Sequence, residues 1–100
     1  MAELGDIVYK VRSKNAGPFW LTVDIFCGNP EAFHQVCNGL STQRVASVFG
    51  TDAQSIKRFE ISDLNVVKFS LPRPSIQGAI TDRDMHGASW AALLSEVAIN

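Results

Sequence analysis

The run Arg12-Ser13-Lys14-Asn15-Ala16-Gly17-Pro18 constrains this chain more than any other, because it parts two β-prone segments with residues that turn a chain or bind an anion. Asp6 to Val11 on its left is rich in β-branched and aromatic residues, and Phe19 to Phe26 on its right is richer still. The pattern predicts a hairpin with Arg12, Ser13, Lys14, Asn15 and Gly17 at its tip. Gly17 lets the backbone take a positive φ there. Arg12 and Lys14 suit a carboxylate or phosphate, Arg12 bidentately, while Ser13 and Asn15 add neutral hydrogen bonds. A solvated turn uses the same residue types, so spacing alone leaves both readings open.

The first strand is expected from about Leu4 to Val11, with Ile7, Tyr9 and Val11 on one side and Val8, Lys10 and Arg12 on the other. The next places Phe19, Leu21, Val23 and Ile25 on one face and Trp20, Thr22, Asp24 and Phe26 on the opposite one. Two large aromatics on that second face form a patch that monomers avoid, which points to a homo-oligomer. Asn29 then caps a helix with Pro30 at its first position, Phe33, Val36 and Cys37 as its buried stripe, and Gly39 as a left-handed stop. Ser41 caps a second helix whose Val45, Val48 and Phe49 repeat the stripe before Gly50. His34 falls off the first stripe and is expected to be exposed.

Ile56 to Ile61 and Val66 to Leu71 read as a further pair of strands joined through Ser62-Asp63-Leu64-Asn65, with Phe59 and Ile61 facing the core beside Val67, Phe69 and Leu71. Pro72-Arg73-Pro74 stops the second of them, since proline donates no hydrogen bond to a ladder. Ser75 to Gly87 reads as a long ordered loop. At the end, Trp90, Leu93, Leu94 and Val97 fit a helix, whereas Leu93, Ser95, Val97 and Ile99 fit a strand; a turn from Ala88 to Ala91 followed by a strand is preferred. Strands, helices, then strands imply one α+β domain over residues 1–100: ferredoxin-like, a mainly antiparallel sheet with two short helices on one face.

One hundred residues bury a real core without metal or disulfide staples. A formal charge of -1 gives no reason to expect nucleic acid or an anionic membrane as partner. No apolar run reaches the length of a membrane span, and acidic residues precede the first hydrophobic stretch, so neither a signal nor a transit peptide is read there and a cytoplasmic protein is expected. Cys27 and Cys37 then read as small core hydrophobes.

Two further stretches carry candidate chemistry. Arg73 between two prolines is either a preorganised anion clamp or a chain stop with one surface arginine. Its strand end and the Arg12 corner are expected on the same side of the fold, where they would bind an anion jointly. Asp82, Asp84 and His86 project to one side of an extended segment, which suits a divalent ion or an acid–base pair; a polar loop pairing an aspartate with Arg83 explains them as well. No metal and no cofactor are expected. The chain has no nucleophile elbow, phosphate loop, dinucleotide fingerprint or paired cysteine motif.

Arg12 to Pro18, followed by Leu21-Thr22-Val23-Asp24, Leu71-Pro72-Arg73-Pro74, Asp82-Arg83-Asp84 and Gly87-Ala88, resembles a bacterial and fungal domain-of-unknown-function family of about this length. Its members resemble the small partner of the acyclic terpene utilisation protein AtuA, encoded beside it or fused to it. The chain is also similar to the AtuA-like ferredoxin-fold domain, where an Arg-Ser corner follows the first strand. It departs from the family pattern at His86 and at Trp90-Ala91-Ala92. The resemblance implies work in concert with an AtuA-like protein in catabolism of small organic acids and their acyl-CoA esters. Three functions follow as expectations. The first is an accessory domain that helps bind an anionic organic acid or acyl-CoA through Arg12, Ser13, Lys14, Asn15, Gly17 and Arg73, with Asp82 and Asp84 nearby. The second is a small hydratase or lyase using Asp82, Asp84 or His86, and the third an oligomerisation module without ligand.

Overall fold

Alternation of buried and half-exposed residues along Trp20–Phe26 sets the architecture, because it gives this strand one fully apolar face. The computed structural model describes residues 2–16, 19–72, 91 and 94–99. In chain order these form β1 (Ala2–Glu3), α1 (Leu4–Ile7), β2 (Lys10–Asn15), β3 (Trp20–Phe26), α2 (Pro30–Gly39), α3 (Thr42–Phe49), β4 (Lys57–Ile61), β5 (Val66–Pro72) and β6 (Ala98–Ile99). The order β2-β3-β5-β4 makes a four-stranded sheet, antiparallel throughout, while β1 and β6 pair separately. The fold is α+β and compatible with a ferredoxin-like arrangement.

Leu21, Val23 and Ile25 of β3 and Val67, Phe69 and Leu71 of β5 are fully buried against the apolar stripes of α2 and α3. Both helices start as their caps dictate. Asn29 Oδ1 accepts from Ala32 N at 2.8 Å, and Ser41 Oγ accepts from Arg44 N at 3.1 Å. Gly50 ends α3 with φ 69°, in the left-handed region. Gly28, with φ 90°, turns the chain out of β3; a Cβ there would stand 3.0 Å from Tyr9 Cβ, so conformation and space both require glycine.

Five local expectations are corrected. The predicted first strand is instead the turn of helix α1 followed by β2: Leu4 and Val8, four residues apart, are buried while Asp6, which strand alternation would place on their side, is exposed. The β2 strand therefore runs on through Asn15, and the hairpin tip shrinks to the residues between Ala16, whose N–H donates to Trp20 O at 2.9 Å, and β3. Phe19 lies in that connection and is exposed rather than packed with Leu21.

Gly39 does not take the left-handed stop; α2 passes into extended backbone at Leu40. Arg58 takes over that role, donating to Leu40 O at 2.6 Å and Cys37 O at 3.1 Å, so the last carbonyls of α2 are satisfied from β4. This turns Arg58 toward the helices and, since the strand period is two, turns Phe59 and Ile61 to the other face. At the C-terminus both readings hold in part: residues 91, 94 and 95 are helical and β6 follows.

Candidate functional site

The sheet face away from α2 and α3 carries the charge. On β2 the alternation puts Lys10, Arg12 and Lys14 on that side, and the register aligns them with Phe26, Asp24 and Thr22 of β3. The rows continue into β5 and β4: Phe26 to Val66 to Ile61, Asp24 to Lys68 to Phe59, and Thr22 to Ser70 to Lys57. Five cations, Lys10, Arg12, Lys14, Lys57 and Lys68, thus stand against Asp24. Elsewhere among the described residues Arg44 and Arg58 stand against seven carboxylates. Among the described residues the open face of the sheet is therefore a positive one.

A pocket of about 90 Å3 opens on this face, lined by Arg12, Ser13, Lys14, Asp24 and Phe26. Among the described residues only Arg58 and Glu60 form an ion pair, at 2.9 Å on the helix side, so Arg12 and Lys14 have no such partner there although Asp24 lies opposite Arg12. Two cations without an ion-pair partner among the described residues thus border one pocket beside the Phe26 ring.

Of the residues singled out from sequence, Arg12 and Lys14 both line the pocket. Ser13 points the other way, as its place between them in a strand requires, and its hydroxyl accepts from Ala91 N at 2.8 Å. It fastens the C-terminal segment to β2. Asn15 pairs with Leu21 at the end of the strand. Gly17, Arg73, Asp82, Asp84 and His86 lie outside the described residues. Pro72 pairs with Trp20 at the same end of the sheet as the β2–β3 turn, so the strand that leads to Arg73 ends there.

Asp24, Phe26 and Lys68 are functional candidates that the motif reading passed over. Period-two alternation already puts Asp24 and Phe26 on one face; what it lacks is the register that brings Arg12 beside them.

His34 is exposed and makes an edge contact with Phe33 at 5.8 Å between ring centres. Both cysteines are thiols. Burial, reinforced by the neighbouring Cys37, pushes Cys27 from 9.0 up to about 11; burial and then the Glu60 charge raise Cys37 as well. Such thiols are poor nucleophiles at neutral pH. Among the described residues no group of three His, Cys, Asp or Glu side chains is placed to hold a metal ion, and no helix is long and apolar enough to cross a membrane.

A family model described as Domain of unknown function (DUF4387) matches residues 4–98. This chain belongs to that family. The DUF4387 match runs from the start of α1 to the first residue of β6, so the pocket and both sheet faces lie within it. No curated protein and no solved structure matches the chain.

Proposed function

We propose that this domain is an accessory module that binds an anionic organic acid, free or as its acyl-CoA ester, and works beside an AtuA-like protein. The pocket carries the reading: Arg12 and Lys14 border it without an ion-pair partner among the described residues, on the positive side of the sheet. An anion entering there gains two charge-assisted contacts, and it relieves the repulsion between neighbouring cations. The AtuA-like partner and the acyl-CoA choice come from the family resemblance, and the pocket is compatible with both.

Isothermal titration of the protein with small carboxylates and CoA thioesters tests this. Arg12→Ala is expected to weaken binding at least about tenfold, the loss of one charged hydrogen-bond set, with the melting temperature nearly unchanged. Absence of binding by the unaltered protein at millimolar ligand would remove the proposal.

We place a subunit contact, with a second copy or with the AtuA-like partner, at Trp20, which is 43% exposed on the same face. Light scattering of the isolated chain is expected to show an oligomer that Trp20→Ser dissociates. A monomer at micromolar concentration would overturn the homo-oligomer.

A further inference from the structure

The open face holds more than a charged pocket. Phe26, in the pocket wall, pairs with Val66, which pairs with Ile61, and Phe59 stands two residues before Ile61 on the same side of β4. These side chains form an apolar strip crossing three strands. From Phe26 to Ile61 it spans two interstrand spacings, roughly 9–10 Å. Val66 is its buried floor, Phe26 and Ile61 are half-buried, and Phe59 is 47% exposed.

We propose that the pocket takes an amphipathic anion, a small molecule whose carboxylate or phosphate sits between Arg12 and Lys14 and whose apolar chain lies along Phe26, Val66 and Ile61 toward Phe59. This rests on the anion-binding reading and adds the class of ligand. Head group and chain are recognised by different parts of one face, so each has its own signature. The cations attract any anion, whereas only an apolar body gains from covering the strip. The head-group site is concave and of single-group size, which favours a soluble small molecule over a membrane plane. Asp24 stands directly across from Arg12 and opposes a second negative charge close by. A single anionic group, or one that brings a hydroxyl to Asp24, fits best.

The test is isothermal titration of the full chain with straight-chain carboxylates from acetate to octanoate, with octan-1-ol as the neutral control and with anionic phospholipid vesicles. Half-covered methylenes are expected to tighten binding about twofold each. Arg12→Gln is expected to weaken every carboxylate by about tenfold, and Asp24→Asn to tighten them. Phe59→Ser, at an exposed position that the core does not use, is expected to flatten the chain-length trend while acetate binds as before.

Equal affinity along the series would leave an anion site and overturn the apolar strip. No binding by any carboxylate would overturn the anion reading itself. Octanol binding as tightly as octanoate would show that the head group is not read, and binding to vesicles alone would make the face a membrane contact; either result overturns the proposal.

Discussion

The two faces of the four-stranded sheet come from the same strands, residue by residue, and differ in almost every physical property. On the helix side Leu21, Val23, Ile25, Val67, Phe69 and Leu71 are buried, and the one cation, Arg58, is held by carbonyls, by Glu60 and over the Phe69 ring at 5.5 Å. On the open side five cations and three aromatics, Trp20, Phe26 and Phe59, share the surface, and the cations make no ion pair with another described residue. A cation that serves the fold is thus surrounded by acceptors, whereas the open-face cations are gathered without an ion-pair partner among the described residues. Arg58 and Lys57 are neighbours in sequence, and strand alternation alone sends them to opposite fates.

The sharpest way to break this contrast is to truncate one phenylalanine on each face. Phe69 is fully buried and supports Arg58, so Phe69→Ala is expected to cost about 4 kcal/mol of unfolding free energy. Phe59→Ala, on the adjacent strand, is expected to cost less than about 1 kcal/mol. Urea denaturation of the two variants measures both. Equal losses would mean that the open face is packed as tightly as the core, and the division between the faces would fall.

A second test uses pH. Cys27 follows Phe26 and lies on the buried side, with its thiol raised from 9.0 to about 11. Its neutral form is favoured by the fold, so the contribution is fully present below pH 9, where folded and unfolded chains both hold the proton. Above that the unfolded chain releases the proton first, and stability falls through pH 11 by on the order of 2–3 kcal/mol. Cys27→Ala is expected to remove most of that slope, and the raised Cys37 supplies a smaller part in the same direction. An unchanged slope in the variant would show that solvent reaches the thiol in the folded state.

What the sequence discloses divides along physical lines. Caps and alternation are local: Asn29, Ser41, Gly50 and the two faces of β3 can be read directly because each rests on neighbours within four residues. Features decided by distant residues are not legible in this way. Gly39 looked like a helix stop until Arg58, 18 residues beyond Leu40, supplied the acceptor-satisfying group, and the same contact reversed the parity of Phe59 and Ile61. The Arg12 motif reads equally as an anion binder or a solvated turn, but Arg12 to Asn15 lie in a strand, which sends Ser13 away from Arg12 and Lys14. Asp24 and Phe26 joined the site only through register, a long-range property that no motif encodes.

The smallest expected effect separates a vacant cation site from a structural one. Lys14 is the better probe than Arg12, because Arg12 faces Asp24 across the ladder while Lys14 faces Thr22. Alternate residues on one side of a strand lie about 6–7 Å apart, so in water Arg12 repels Lys14 by about 0.5 kcal/mol before salt screens it. Lys14→Gln is therefore expected to stabilise the protein by a few tenths of a kcal/mol in dilute buffer. In molar salt the gain should vanish, since the screening length falls to about 3 Å, well inside the charge separation. Denaturation curves at the two salt concentrations decide the matter. A loss of about 1 kcal/mol or more at both would mean that the ammonium is bonded within the fold, as Arg58 is, and the open face would lose its claim to an unmet charge.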